Sequence, residues 1–223
     1  MKTVAIVGKA PNFQFPEGVE RWGINNLALM LPNGWNFDAW DRWFDVHTRG
    51  HILKHRAEAW RWYRSWGSDP RPIYMVREDP LVPASVAYPF DRVQQAFAWG
   101  GDVEEFFTSS VDYMLALAIL EGFERIELYG VDMWDAPHER GVQRNGAHYW
   151  IGIARGRGID VHIPDESSLC KIERMYGRFT ITGPRNFSSM DCTRFLSQVR
   201  RAREMEQAGY VEPGADEAPE KVM

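Results

Sequence analysis

Cysteine is scarce. The chain carries Cys170 and Cys192, with no CxxC pair and no neighbouring histidine cluster. That spacing supports neither a zinc knuckle nor a disulfide framework, and it fits a reducing compartment. Long apolar runs are missing too. The run "VAIV" inside "MKTVAIVGKAPNF" is too short for the core of a secretion signal, and no later segment approaches membrane-span length. A soluble, cytoplasmic protein is the expectation. Basic charge is not in excess: the net charge of -5 and the pI near 5.7 exclude coating of nucleic acid by bulk charge, although local basic patches remain open. The phosphate-binding signatures GxGxxG and GxxxxGK[ST] are absent, since "VGKAP" fits neither, and no DxD-type metal motif occurs. There is no internal repeat.

What is abundant is apolar and aromatic side chain. A hydrophobic content of 44% over 223 residues suits one sizeable globular domain with an appendage. Ten tryptophans stand out. They supply core, and their rigid faces also suit the walls of sites for planar or sugar ligands.

Strand and helix signals alternate. Thr3 to Val7 reads as a buried first strand closed by Gly8, and Arg21 to Asn25 as a second. Trp40 to His47 ends in a third strand, His51 to Trp66 forms one amphipathic helix, and "IYMV" is a fourth strand. Arg77 to Gly101 is a long excursion with three prolines and a short helix around Asp91 to Ala98. Ser109 or Ser110 caps the helix "VDYMLALAILEG", which Gly122 stops; Met114, Leu117, Ala118 and Leu120 lie at spacings that bury one face. The strand "RIELYG" follows, then a polar loop, a helix from Ala147 to Arg157 and the strand "IDVHIP". This order predicts an α/β fold with a mostly parallel sheet. Residues 1–171 form the expected main domain, 172–207 a strand and helix extension, and 208–223 a disordered tail rich in Pro, Gly, Ala and Glu.

In such sheets ligands bind at the carboxyl ends of the strands. The strand ends here carry Gly8, Lys9 and Asn12, then Asn25 and Asn26, then Asp45 and His47, and finally Gly130 and Asp132. Asn25 and Asn26 also read as a plain turn pair, because asparagine tolerates positive φ, and His47 reads equally as a hydrogen-bonded structural histidine. The helix start at Thr108, Ser109 and Ser110 offers hydroxyls and backbone amides suited to a phosphate. The loop Asp135 to His148 brings Arg140 and Arg144, whose guanidinium forks suit phosphates, and leads to His148 and Tyr149. His148 is a candidate acid or base. The stretch "HILKHRAEAWRWYRSW" reads as a solvated basic face with a tryptophan seam, or as a grip for an anionic polymer.

The segments "TSSVDYMLALAILEGFERIELYGVDM" and "AHYWIGIARGRGIDVHIP", with the glycine-containing first loop and an asparagine after the second strand, resemble the bacterial sialyltransferases of glycosyltransferase family 42. They are similar, more loosely, to the DUF115-type proteins that include a pterin diphosphokinase, and to a group of bacteriophage proteins with "WGINN" and "QRNGAHYWIGIARG". The resemblance runs from about Val4 to Ile163 and is densest from Phe107 onward. It implies a Rossmann-like three-layer fold with helices on both faces. It also implies a nucleotide-sugar donor, most closely a CMP-sugar, and metal-independent transfer of the sugar to an acceptor hydroxyl on a glycan or a modified nucleobase. By that resemblance Gly8 and Asn12 or Asn25 lie near the nucleotide, Ser109 and Ser110 near its base or ribose, and His148 is the general base. The chain departs from the family pattern with serine instead of glycine at Ser110, with Arg140 and Arg144 instead of phosphate-binding tyrosines, and with less length for a lid. Two alternatives stay open. One is a diphosphokinase using Mg²⁺ on Asp132 or Asp135; the other is a non-enzymatic protein that sequesters a nucleotide.

Overall fold

The computed structural model describes residues 1–10, 16–31, 37–67, 69–98, 106–133 and 139–171. Asn12, Asp135, the extension 172–207 and the tail 208–223 lie outside the described residues, as does the side chain of Arg140.

Among these residues the strands β1 (Thr3–Val7), β2 (Glu20–Ile24), β3 (Arg42–Asp45), β4 (Ile73–Met75), β5 (Ser85–Ala87), β6 (Arg125–Tyr129) and β7 (Asp160–His162) form one sheet in the order β5-β4-β3-β2-β1-β6-β7. Every neighbouring pair is parallel. The helices are α1 (Arg49–His55), α2 (Ala57–Ser65), α3 (Phe90–Phe97), α4 (Ser110–Leu120) and α5 (Glu139–Gly156). The fold is therefore α/β and Rossmann-like, as the alternation of strand and helix predicts.

Both faces of the sheet are covered. The crossover β3-α1-α2-β4 steps one way across the sheet and β6-α5-β7 steps the other. Since parallel crossovers are right-handed, the two sets of helices lie on opposite faces. Side chains agree. Trp43 packs on Trp62 and Trp66 at the end of α2, while its neighbour Phe44 points the other way, against Trp22 and Tyr74. Both β3 residues are fully buried.

Helix α4 is apolar all round. Met114 to Ile119 are all buried, so the helix is enclosed between the sheet, α3 and α5 rather than burying one stripe as its spacing suggests. Each fully buried Leu, Ile or Met contributes about 1.5–3 kcal/mol. Its end is set by Gly122 at φ +71°, where the Phe123 amide bonds the carbonyl of Ala118 and the Gly122 amide that of Ile119.

Three elements differ from the sequence expectation. The helix expected over His51 to Trp66 is two helices, broken where Arg56 leaves helical geometry at φ -148° while its guanidinium lies 3.5 Å from Asp45. The short strand β5 lies inside the proline-rich excursion; as the sheet's edge strand it tolerates flanking prolines. Helix α5 begins at Glu139, well before Ala147, so Arg144 is helical rather than in a loop. Gly146, which reads as a loop residue, is where α5 touches the α4 entrance: a Cβ there would lie 2.4 Å from Thr108 Oγ1.

The tips of β1 and β6 almost touch. The Gly8 amide bonds Tyr129 O at 2.7 Å, and a Cβ on Gly8 would meet Gly130 O at 2.4 Å. Gly8→Ala must push these two tips apart. We expect a cost of about 1–3 kcal/mol, typical of overpacking, and a fall in Tm of about 2–4 °C per kcal/mol. Thermal unfolding with an unchanged midpoint would show that the tips do not need this contact.

Candidate functional site

Strands β1 to β5 run out from the centre in one direction and β6 and β7 in the other, so the sheet's order reverses between β1 and β6. A crevice at that switch point is where open parallel sheets bind ligands. A cavity of about 960 Å³ occupies it. Lys9, Asn25, Asn26, Ser109, Ser110, Gly130 and Asp132, all singled out from the sequence, line it together with His47. Gly8 lies directly behind, against Gly130.

Asn25 is the most constrained of these. It sits at the tip of β2 with φ +50° and is buried. Its amide bonds Phe44 O at 2.8 Å, and its carbonyl accepts from Trp43 Nε1 at 3.0 Å and Tyr63 Oη at 2.7 Å. Its side-chain oxygen lies 3.3 Å from Ser110 Oγ, and Lys9 reaches the neighbouring Asn26 side chain at 3.3 Å. A positive φ on a non-glycine residue costs of order 1–3 kcal/mol, and the surrounding contacts must hold it in place.

The same tyrosine ties in the tip of β3. Tyr63 Oη is 2.7 Å from Asp45 Oδ2 and equally far from Asn25 O, so one proton serves two acceptors. Burial first, and then the Asp45 charge, pushes the Tyr63 hydroxyl well above its ordinary pKa, and it stays a donor. Asp45 has no exposed surface and also meets His47 Nδ1 at 2.7 Å and Arg56 at 3.5 Å. His47 opens a ladder: its ring stacks on His51, and the His51 ring meets His55 at a tilt of 43°, with centroids 4.7 Å apart at each step. His51, His55 and Arg56 line the cavity as well. Desolvation first, and then the neighbouring His47, Arg56 and His55, hold the His51 pKa below its ordinary value. The sequence reading passed over this ladder, although the spacing of His47, His51 and His55 is that of one helical stripe.

The entrance to α4 is less open than its sequence suggests. Asp112 Oδ2 accepts from the amides of Thr108 (2.8 Å) and Ser109 (2.6 Å) and from Thr108 Oγ1 (3.0 Å). Those two amides are therefore already taken. Ser110 and Val111, which line the cavity in the first turn, have amides with no partner inside the helix. Asp112 is wholly buried, and its Oδ1 has no hydrogen-bond partner. Burial outweighs the three donors and lifts its pKa to about 7.

The remaining sequence candidates gather elsewhere. Arg144 donates to Ser168 O at 2.8 Å. His148 is absent from the cavity lining, and its Nε2 accepts the Cys170 amide at 3.1 Å. Burial, followed by the Arg144 charge, lowers its pKa. Tyr149 stacks flat on Phe106, with centroids 3.7 Å apart. Asp132 lines the cavity, yet its Oδ1 accepts the Ser168 amide at 2.7 Å and the Ser168 hydroxyl. Asp132, Arg144 and His148 thus all bind the segment after β7. Among the described residues no group of three or more histidine, cysteine or acidic side chains is placed to hold a metal ion, and no helix is long and apolar enough to cross a membrane.

No family model matches the chain, and no curated protein matches it. Among solved structures it is similar to the α-2,3-sialyltransferase Cst-I from Campylobacter jejuni, with 12% identity over 92% of this chain and 96% of that one and a TM-score of 0.48. An apo α-2,3-sialyltransferase from the same organism gives 12% identity, 90% and 95% coverage and a TM-score of 0.46. The sialyltransferase CstII from Campylobacter jejuni, in complex with cytidine-5'-monophosphate, gives 12% identity, 72% and 78% coverage and a TM-score of 0.42.

Asp112 yields a pH prediction. A carboxyl whose folded pKa is raised from 3.8 to about 7 is held more tightly protonated in the folded chain. The folded state binds more protons than the unfolded state between those values, so this group's contribution to stability falls as pH rises from about 4 to 7. Asp112→Asn should remove that slope. The difference in Tm between variant and wild type should shift in the variant's favour from pH 5 to pH 8. Parallel Tm curves for the two proteins would contradict the assignment.

Proposed function

We propose that the cavity at the β1–β6 switch point binds a nucleotide-sugar donor and that the chain transfers the sugar to an acceptor hydroxyl. The single observation that carries this reading is the convergence on one cavity of Asn25, locked at positive φ, with the first turn of α4 and the cationic side chains Lys9 and Arg56. A rigid amide suits the edge of a base or a ribose hydroxyl. The first-turn amides of Ser110 and Val111 suit a phosphate. The volume of about 960 Å³ is that of a site for a ligand of cofactor size.

The donor class rests on the resemblance of Phe107 to Ile163 to the family 42 sialyltransferases, which use CMP-sugars. In this reading the charge that develops on the leaving phosphate is met by Lys9, Arg56 and the first-turn amides of α4, so transfer needs no metal. Preorganised cations and dipoles of this kind are worth more in a partly closed cavity than in water.

Two measurements test the reading. A nucleotide at a hundred times its Kd stabilises the folded state by about 2.7 kcal/mol. At about 2–4 °C per kcal/mol the expected rise in Tm is therefore about 5–10 °C. CMP should give it, with UDP, GDP and AMP as comparisons; no shift with any of them would remove the proposed ligand. In addition, Asn25→Gly keeps the backbone angle available and deletes the amide. It should weaken CMP binding about tenfold, the loss of a hydrogen bond or two at about 0.5–1.5 kcal/mol each. Unaltered affinity in calorimetry would remove Asn25 from the site.

A further inference from the structure

A second cavity, of about 290 Å³, opens on the same rim beyond β3. It lies between the start of α1 and the turn after β4, and Trp60, Arg49, Arg77 and Asp79 are among its walls. The Arg49 guanidinium rests over the Trp60 ring at 5.4 Å and reaches Asp79 at 3.5 Å. This cavity is about a third of the volume of the first and takes a sugar-sized group. Its mixed lining of carboxylate, guanidinium and indole suits a hydroxyl-rich ligand.

One residue, His47, belongs to the walls of both cavities. Its ring is oriented from behind. Asp45 is fully buried at the tip of β3, and its Oδ1 lies 2.7 Å from His47 Nδ1. A carboxylate can only accept, so the bond places the proton on Nδ1 and leaves the lone pair on Nε2. Asp45 is fixed in turn by Tyr63 and Arg56. A base held by a third, buried group is the arrangement that activates hydroxyl nucleophiles in unrelated enzymes.

We propose that His47 is the general base of this site, with Asp45 as its positioning residue, and that a polyhydroxyl acceptor enters through the second cavity. The proposal rests on the nucleotide-sugar reading above. In the step it assigns, an acceptor oxygen forms a bond to the anomeric carbon of the donor. The bond from that carbon to the phosphate oxygen breaks, and its electron pair leaves with the nucleotide. The acceptor proton passes to His47 Nε2 and from there to solvent. Asp45 on β3, His51 and His55 on α1, Arg56 at the start of α2, and Arg49, Arg77, Glu78 and Asp79 in the second cavity are charged or titratable groups around the ring.

The test uses the full chain and two independent readouts. The first is release of CMP from CMP-N-acetylneuraminate with lactose as added acceptor, alongside calorimetry with CMP. His47→Gln should bind CMP within about threefold of wild type and lose at least about 100-fold in kcat, the range of a general base. Asp45→Asn should lower kcat by a larger factor than it raises KM, and His148→Gln should lose less than about tenfold. The second readout is ring-nitrogen NMR of wild type, which should show His47 protonated on Nδ1, and of Asp45→Asn, in which that preference should weaken. A His47→Gln enzyme within about threefold of wild-type turnover would overturn the proposal, as would a wild-type His47 protonated on Nε2. Failure of wild type to bind CMP would sink the nucleotide reading instead, and the ring-nitrogen result would then decide alone whether His47 offers Nε2.

Discussion

A carboxylate without solvent exposure sits at the tip of β3, and the rim of the sheet is organised around it. Burying an ionised group costs several kcal/mol unless partners compensate, and Asp45 has three: the Tyr63 hydroxyl, the His47 ring and the Arg56 guanidinium. Each partner links Asp45 to another element. Tyr63 shares its proton with the carbonyl of Asn25 at the tip of β2. Arg56 draws the chain out of helical geometry and separates α1 from α2. His47 begins the ladder that continues through His51 to His55. Removing one partner from such a buried group typically costs about 3–5 kcal/mol. Two strand tips and two helices thus share one polar knot, which is a reason for the rigidity a binding site needs.

Much of this fold was legible in the sequence because its strongest signals are local. The run Thr3 to Val7 is mostly β-branched and apolar, and its neighbours on both sides leave Val4 to Val7 buried. Helix α4 carries its stop in Gly122, and the positive φ of Asn25 is one that asparagine tolerates. What escaped the sequence reading is what depends on distant partners. The break at Arg56 follows from a carboxylate on another strand. The glycine at 146, which suggests a loop, is dictated by the approach of Thr108 and Asp112 from α4. Strand β5 is too short and too closely flanked by prolines to register, and it becomes a strand only through β4.

The candidate site divides along the same line. Strand-end residues such as Lys9, Asn25, Asn26 and Gly130 could be placed on the rim because a parallel sheet puts all its carboxyl ends together. The histidine ladder could not, since its role depends on Asp45 and on α1 ending beside the cavity. Arg144, His148 and Asp132 form a second polar group that binds Ser168 and Cys170, so the chain after β7 is anchored by three sequence candidates, among which the resemblance assigns a role to His148 alone.

In the proposed function a nucleotide occupies the crevice between the tips of β1, β2 and β6. A high-resolution crystal structure with CMP soaked in tests it most directly. The nucleotide should lie along the first turn of α4, with a polar atom within hydrogen-bonding distance of the Asn25 side chain. CMP found away from that crevice, for example on the basic outer face of α2, would contradict it.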